Sequence, residues 1–182
     1  MLLKLKPFVL KNYPFSVTAT VTNIDYSPRP TWSFAFFLQG ELDDIFTHSL
    51  QRTPSLPKRM DRLWESLCFE AFIKDLNSPA YLEINATLQG FWNIFQFSDY
   101  RKDKREASTT ITEIKEKKEL RLYQLEFQCV WPEDLPIPSR DRLSIGLSCV
   151  IPYKNTQDLT YWALTHPRNV PDFHAPASFV SI

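Results

Sequence analysis

Several polar side chains that could bind a ligand lie on segments whose other residues are apolar. In residues 80–88, Tyr81, Glu83 and Asn85 alternate with leucine, isoleucine and alanine, so a strand would carry the two sets on opposite faces. Glu70 interrupts the apolar run of the preceding segment in the same way. Because buried carboxylates are normally paired, this polar face either meets solvent, pairs within itself or lines a concave site.

Sugar binding is the first chemistry that these residue types favour. Aromatic rings stack on the apolar faces of a sugar, while carboxylates and amides exchange hydrogen bonds with its hydroxyl groups. Arg101 could pair with Glu83 or Glu70, or it could bind an anionic substituent of the ligand. The aromatic candidates could equally belong to the core, where Trp and Phe dominate; they are Trp64, Trp92, Tyr100 and Trp162.

Catalysis is a second hypothesis for the two glutamates. Glycosidases use two carboxyl groups about 5–10 Å apart, and Glu70 and Glu83 could reach that separation from adjacent strands. The chain has no nucleophile elbow, no HExxH motif and no local Cys–His signature. Its 3 glycines also form neither of the common glycine-rich phosphate loops. We therefore expect a protein without enzymatic activity, with a glycoside hydrolase as the alternative.

Metal or haem binding is a third hypothesis, based on residues 166–174. This segment, HPRNVPDFH, contains His166, Asp172 and His174, and imidazole and carboxylate groups are metal ligands. The spacing matches no zinc motif, and its prolines favour an extended loop laid over one end of the fold. Haem iron takes axial ligands of the His and Met type, and Met60 is the one methionine besides the first residue. We expect no cofactor, with haem or metal binding through His166 and His174 as the alternative.

Strands are the elements that must position these side chains. Strand-like patterns bounded by turn residues occur about ten times, at a spacing of about 8–12 residues. They predict an all-β fold, namely an antiparallel β-sandwich of jelly-roll type with about ten strands. Residues 41–61 predict a long surface loop with a short helical turn, and Lys115–Lys118 predicts the turn of a charged hairpin. The clearest strand patterns occupy residues 15–24, 32–39, 64–74, 80–88, 91–98, 143–151 and 159–165.

Length and charge restrict the class of protein further. The 182 residues suit one domain, residues 1–182, and the 14% aromatic content excludes a disordered chain. Lys+Arg and Asp+Glu number 21 each, so the net charge is zero, which disfavours a nucleic-acid binder. No apolar run approaches the roughly 18–20 residues of a membrane helix.

The N-terminal residues and the cysteines indicate a cytoplasmic protein. Leu3 and Leu5 alternate with Lys4 and Lys6, which is a strand pattern rather than the unbroken apolar stretch of a signal peptide. The cysteines form no CxxC pair and lie in apolar strand-like runs, so we expect buried thiols at Cys68, Cys129 and Cys149.

Three stretches taken together resemble a known family. They are DRLWESLCFEAFI (61–73), YLEINATLQGFWNIFQFSDYR (81–101), and LSIGLSCVI followed by YWALTHPRNVPDFH (161–174). Their order and spacing are similar to bacterial DOMON-like domain proteins, which are related in fold to family 9 carbohydrate-binding modules and to the DOMON domains of secreted haem proteins. The resemblance implies a β-sandwich of around ten strands and an association with sugars or haem, although fold alone does not fix function.

The residues and the resemblance together predict a module that binds a carbohydrate or similar polar small molecule. The polar face on an otherwise apolar strand pair is the observation on which this expectation depends. The aromatics would stack on the ligand, and the glutamates and the asparagine would bond its hydroxyl groups. The residues expected near the ligand are Trp64, Glu70, Glu83, Asn85, Trp92, Arg101 and Trp162.

Overall fold

Strands make up nearly all regular structure in the computed structural model, which describes residues 2–25, 28–46, 57–153 and 158–181. The prediction of an all-β fold is therefore confirmed. Thirteen strands occur in these residues: β1 (Leu2–Pro7), β2 (Phe15–Asp25), β3 (Thr31–Gly40), β4 (Lys58–Arg59), β5 (Cys68–Asp75), β6 (Tyr81–Ala86), β7 (Phe91–Phe97), β8 (Arg105–Glu106), β9 (Ile111–Glu119), β10 (Leu122–Val130), β11 (Leu143–Pro152), β12 (Leu159–Ala163) and β13 (Val180–Ser181).

The strands form one continuous curled sheet with the order β4-β7-β6-β5-β11-β12-β1-β2-β3-β10-β9. β8 pairs with β7, and β13 pairs with β11. β1 joins the two parts, because Leu2–Leu5 pair with β2 whereas Lys6 and Pro7 pair with β12. We call β1, β2, β3, β10 and β9 the first half of the sheet, and β12, β11, β5, β6 and β7 the second half.

The sheet is mixed, whereas the sequence predicted a purely antiparallel sandwich of jelly-roll type. β4 runs parallel to β7, with Lys58 opposite Phe91 and Arg59 opposite Trp92. The shared strand β1 also joins the two halves into a single sheet, which curls so that the halves face each other. The coarser description, a nearly all-β fold built from long antiparallel pairs, is the one that the structure supports.

The main core lies where the inner faces of the two halves meet. Phe36 of the first half contacts Phe69 of the second half, with ring centroids 5.3 Å apart. Alternate residues of β5 and β6 point into this core: Phe69, Ala71, Ile73, Leu82, Ile84 and Ala86, each fully buried. Burial of each large apolar side chain contributes about 1.5–3 kcal/mol, so this face dominates the stability of the fold. All three cysteines are buried free thiols, as the sequence predicted.

Helical segments in the described residues are short. The helix α1 spans Asp43–Phe46, and 3₁₀ turns span Leu63–Glu65, Arg140–Arg142 and Pro176–Ser178. α1 supplies the helical turn expected within residues 41–61, of which residues 47–56 lie outside the described part. In the part of the chain that the structure describes, no helix has the length and apolarity to cross a bilayer.

The charged hairpin turns later than its sequence predicted. Lys115–Lys118 belong to β9, which runs from Ile111 to Glu119, so the predicted turn at these lysines is wrong. The chain reverses at Leu120 and Arg121, where Glu119 is opposite Leu122. The alternating charges mark an exposed edge strand, because β9 pairs with β10 on one side and its outward residues meet solvent.

Candidate functional site

The polar residues of β5 and β6 lie on the outer face of the second half. Glu70 is opposite Asn85 on β6 and opposite Ser148 on β11. Glu83 is opposite Phe72 on β5, so the two glutamates are diagonal neighbours on the same face. This face is separate from the core, because the alternate residues of both strands are the ones that meet the first half.

A cavity of about 390 Å³ opens above this face. Both glutamates lie at its wall although Glu70 is 3% exposed and Glu83 is 4% exposed. The cavity combines aromatic rings, two carboxyl groups, two cationic side chains and one imidazole. Its lining residues are Trp64, Glu70, Glu83, Phe97, Arg101, Lys104, Val150, Tyr161, Pro171, Phe173 and His174.

Each glutamate accepts a hydrogen bond from a neighbouring polar side chain. The Asn85 amide donates to Glu83 Oε1 at 2.8 Å, and the Ser148 hydroxyl donates to Glu70 Oε2 at 3.1 Å. Burial, followed by the charge of Glu83, raises the pKa of Glu70 from 4.5 to about 8. Burial also raises the pKa of Glu83, against the hydrogen bond from Asn85. Glu70 is therefore a neutral carboxylic acid at pH 7, able to donate as well as accept.

His174 is a neutral imidazole whose proton position follows from its partners. The Arg101 backbone N–H donates to the Tyr81 hydroxyl oxygen at 3.2 Å, and that hydroxyl lies 2.8 Å from His174 Nδ1. When Tyr81 donates its O–H to Nδ1, the proton of the neutral imidazole is on Nε2, which lies 3.7 Å from Glu83 Oε2. Burial, followed by the charge of Arg101, lowers the pKa of His174 from 6.5 to about 4.

Asp172 anchors residues 171–179, which we call the covering segment because they lie over the cavity. Its carboxylate accepts from Arg101 at 3.0 Å, from the Tyr100 hydroxyl at 2.7 Å and pairs with Arg168 at 3.1 Å. Burial acts to raise the pKa of Asp172, but the hydrogen bonds from Tyr100 and Arg101 outweigh it and lower that pKa. These contacts connect residues 71 and 72 positions apart in the chain, so they hold the C-terminal segment against the second half.

A second attachment point of the covering segment is Phe179. Its ring lies on the backbone of β11 at Gly146, where a Cβ atom would come within 2.7 Å of the ring. Phe179 also stacks on Phe72, with ring centroids 5.7 Å apart. Only glycine leaves room for this close approach, so Gly146 is part of how the cavity is closed.

The mouth of the cavity is built from strained loops. Arg62, Arg101 and Asp103 are the described non-glycine residues with positive φ, at 59°, 54° and 50°. Each of them is, or lies within two residues of, a lining residue of the cavity. Such backbone strain is tolerated where the surrounding structure fixes it, and it concentrates at functional sites.

Lys104 holds the aromatic side of the mouth. Its ammonium lies 4.3 Å from the ring centroid of Trp64 and 3.7 Å from that of Phe95. A cation over two aromatic faces is attracted to both, so Lys104 fixes the position of Trp64 as a wall of the cavity.

The structure brings four of the seven expected ligand-binding residues to the cavity. Trp64, Glu70, Glu83 and Arg101 line it, and Asn85 lies behind Glu83, fully buried. Arg101 pairs with Asp172 rather than with either glutamate, which corrects the ion pair expected from the sequence. The cause is the covering segment, whose carboxylate lies closer to the guanidinium than either glutamate does.

Trp92 and Trp162 lie on the core side of the sheet, away from the cavity. Trp92 is opposite Ala86, whose side chain enters the core, and its ring lies 4.5 Å below the Arg59 guanidinium. Trp162 is opposite Cys149 and packs on Phe15, with ring centroids 5.1 Å apart. Both follow from strand alternation, since each tryptophan has the parity of the core-facing residues of its strand.

Several lining residues were not singled out by the sequence. Tyr161 is opposite Val150, and Phe97 is opposite Tyr81, so strand register could have assigned both to the polar face. Lys104 and Phe173 come from loops without periodicity, and no signal in the sequence places them here.

The residues proposed as metal or haem ligands do not meet. His166 Nε2 is 2.8 Å from the backbone oxygen of Lys6, whereas His174 faces Tyr81. Asp172 is occupied by arginines and Tyr100. Within residues 2–25, 28–46, 57–153 and 158–181, no group of three or more His, Cys, Asp or Glu side chains could hold a metal ion.

Comparison with known proteins supports the fold. A solved structure described as a "putative carbohydrate-binding protein" from Bacteroides uniformis is similar to this chain with a TM-score of 0.56 and 16% sequence identity. The similarity covers 97% of this chain and 84% of the other. No family model matches the chain, and no curated protein matches it. At this level of identity, the similarity shows a shared fold.

Proposed function

We propose that this chain is a non-enzymatic module that binds a carbohydrate, or a similar polar small molecule, in the cavity above the second half of the sheet. One observation carries the proposal. Two glutamates that are 3% and 4% exposed face a cavity of about 390 Å³ instead of pairing with cations beneath a sealed surface. Buried carboxyl groups destabilise a fold, so their retention at the wall of a cavity favours a role in binding.

The lining offers the groups that a polyol requires. Glu70, whose pKa is raised to about 8, can donate to a ligand oxygen as a neutral acid, while Glu83 and His174 present further oxygen and nitrogen atoms to ligand hydroxyls. The rings of Trp64, Tyr161 and Phe173 provide apolar surfaces for stacking. A hydroxyl group both donates and accepts, so a lining with both kinds of group suits several hydroxyls on one ring.

The fold is consistent with this proposal. The structure from Bacteroides uniformis is described as a putative carbohydrate-binding protein. The strands that form the cavity lie within the stretches whose sequence resembles DOMON-like domain proteins. We include in the proposal that the chain is a sandwich-type module of that kind, acting in the cytoplasm.

Glycan retention on an array, followed by calorimetry with the retained sugar, tests the proposed site. Glu83→Gln keeps the shape of the side chain but replaces one carboxyl oxygen with an NH₂ group that can only donate, and we expect at least a tenfold weaker affinity, about 1.4 kcal/mol. Trp64→Ala should weaken binding similarly through lost stacking, while Trp64→Phe should retain most of it. Glu126→Gln, on the first half of the sheet, is the matched control and should bind as the unmodified protein does.

Unchanged affinity in both Glu83→Gln and Trp64→Ala would reject this cavity as the site. Retention of no glycan, in a panel that includes neutral, acidic and amino sugars, would reject the carbohydrate class.

A glycoside hydrolase is the second candidate, favoured by the pairing of the two glutamates. Burial raises the pKa of Glu70 to about 8, which suits a general acid, and Glu83 is its diagonal neighbour on the same cavity wall, so the site contains the two carboxyl groups that glycosidases use. Turnover of chromogenic glycosides that is lost in both Glu70→Gln and Glu83→Gln would establish the enzyme and replace the proposed module.

A further inference from the structure

The carboxyl groups of Glu70 and Glu83 lie at the wall of the cavity without a cationic partner. In the described part of the chain, Glu70 makes no ion pair, and its hydrogen bond comes from the Ser148 hydroxyl, to Oε2. Glu83 Oε1 accepts from Asn85, whereas Oε2 faces the imidazole of His174 at 3.7 Å. Neither Glu70 Oε1 nor Glu83 Oε2 is among the polar atoms that are unpartnered and sealed from solvent, so both can meet a ligand.

The electrostatics of this carboxyl pair favour the arrival of a positive charge. Burial, followed by the charge of Glu83, raises the pKa of Glu70 to about 8, and Glu83 acts on it more strongly than Arg101 does. Burial also raises the pKa of Glu83, against the charges of Lys104 and Arg101. An opposite charge within about 4–6 Å favours the ionised form of a carboxyl group, so a cation at the pair would let both ionise.

The positive side chains that line the same cavity are already paired at its mouth. Arg101 donates to Asp172 at 3.0 Å, and its side chain is 51% exposed. The ammonium of Lys104 lies 3.7 Å from Asp61 and over the ring of Trp64, and this side chain is 38% exposed. Solvent and the neighbouring carboxylates screen both charges, so they repel a cation at the buried glutamates only weakly.

The other titratable groups around the two glutamates are neutral at pH 6.5. Burial lowers the pKa of His174 to about 4 and raises that of Tyr81 to about 12. Burial also raises the pKa of the Cys68 and Cys149 thiols. None of these groups brings a charge to the buried end of the cavity at this pH, so the two carboxyl groups determine which ligand charge is favoured there.

We propose, building on the function proposed above, that the ligand of this cavity is an amino sugar or a similar polar amine whose ammonium group binds Glu70 and Glu83. An ammonium group has three N–H donors, enough to reach Glu70 Oε1 and Glu83 Oε2 together. The rings of Trp64, Tyr161 and Phe173 lie around it, and aromatic faces attract a cation as well as a sugar ring. On binding, the amine keeps its protons, and the proton of the carboxyl pair passes to the solvent as both groups ionise.

Calorimetry at pH 6.5, in two buffers of different ionisation enthalpy, measures both the affinity and the protons released. The probes are glucosamine, galactosamine and mannosamine, each with its parent hexose and with its N-acetyl form, which carries no charge. We expect one hexosamine to bind at least tenfold more tightly than both of its counterparts. Its binding should release at least about 0.5 proton per ligand, whereas the neutral counterparts should release almost none.

Substitutions of the two glutamates test whether they hold the amine. Glu70→Gln should reduce both the preference for the hexosamine and the proton release. The double variant Glu70→Gln/Glu83→Gln should abolish both. The matched control is Glu126→Gln on the first half, where Glu126 accepts from Ser33, and it should keep both.

The possible failures of this inference and of the proposed function are distinguishable. Equal or tighter binding of the parent hexose would overturn the amine and leave the carbohydrate module standing. Hexosamine binding without proton release, or a preference that survives in the double variant, would place the amine away from the glutamates and overturn the inference.

Ethanolamine, an amine without a sugar ring, separates the two proposals from the other side. Binding of ethanolamine with none of the sugars would support the amine and reject the carbohydrate class. Binding of no probe would overturn the inference, while the glycan array decides the proposed function. If the double variant fails to fold, the proton release and the probe preference of the unmodified protein decide alone.

Discussion

On both halves of the sheet, polar residues alternate with apolar ones and point to the outer face, but the two outer faces differ in their exposure to solvent. On β2 of the first half, Thr18, Thr20 and Thr22 point outward and remain half-buried or exposed. On β5 and β6 of the second half, Glu70 and Glu83 occupy equivalent outward positions and are at most 4% exposed. The difference is the cover, since the loop of residues 99–104 and the segment 171–179 lie over the second half.

This contrast separates polar residues on a solvated surface from polar residues that are desolvated beneath the cover. A solvated threonine does not lower the stability of the fold, whereas a desolvated carboxyl group lowers it. The first half carries exposed ion pairs such as Lys115–Glu113, which contribute little. The second half shields two carboxyl groups from water. Substitutions in the two halves should therefore change the free energy of unfolding by different amounts.

The largest expected effect is the loss of the anchor beneath the cover. Asp172→Ala removes the partner of Arg101, Arg168 and Tyr100 and should lower the free energy of unfolding by about 2–3 kcal/mol. Glu126→Ala on the first half removes one hydrogen bond from Ser33 and should cost about 1 kcal/mol or less. Urea denaturation of both variants measures the difference, and equal losses would mean that Asp172 does not anchor the cover.

Next in size is a pH dependence that belongs to the second half. Between pH 4.5 and 8 the folded chain keeps a proton that the unfolded chain releases, because the pKa of Glu70 is about 8, so stability falls as pH rises. His174, with a folded pKa of about 4 against 6.5, acts oppositely below pH 6.5. Above pH 6.5 the carboxyl effect dominates, and the free energy of unfolding should fall by about 2 kcal/mol by pH 8.

Unfolding in urea at pH 6.5 and pH 8 tests this dependence. Because the pKa of Glu83 is raised as well, Glu70→Gln should reduce the decrease and the double variant Glu70→Gln/Glu83→Gln should remove most of it, whereas Glu126→Gln should leave it intact. A Glu70→Gln variant that still loses the full amount would contradict the burial of a neutral acid in the cavity.

A smaller loss is expected where the cover rests on β11. Gly146→Ala places a Cβ 2.7 Å from the Phe179 ring and should destabilise the fold by about 1–3 kcal/mol. Phe179→Leu should relieve the clash, so the double variant should lose less than the sum of the single losses. Additive losses in a double-mutant cycle would mean that the two residues do not press on each other.

The smallest effect belongs to the exposed edge of the first half. Lys115→Ala removes an ion pair with Glu113 whose side chains are 61% and 41% exposed, and the midpoint of urea unfolding should not change measurably. A clear fall of the midpoint in thermal or urea unfolding would show that this face is less solvated than the comparison requires.

Strand alternation made the faces of the second half predictable. The parity of Glu83 and Asn85 against Leu82 and Ile84 is the parity that the structure shows. The same rule assigns Trp92 to the side of Ile94, so its place in the core was available from the sequence. Its aromatic side chain suggested contact with a ligand, but its position in the strand determines the face of the sheet on which Trp92 lies.

The cover could not be predicted, because it depends on contacts between distant segments. Arg101 and Asp172 are 71 positions apart, and neither lies in a periodic element. The sequence therefore offered the two glutamates as partners for Arg101, being the nearest carboxyl groups on a predicted strand. Thr20 and Glu83 sit in similar alternating patterns, and alternation alone does not reveal which outer face is solvated.

Tyr81 lines a second cavity, of about 250 Å³, and its hydroxyl contacts His174 at the wall of the first. One side of this residue lines the space around Gln96, and its hydroxyl orients the imidazole that faces Glu83. A substitution there would reshape two compartments at once, so its phenotype could not be assigned to either. Mutational scans of this chain should therefore test each cavity with substitutions at lining residues that lie away from Tyr81.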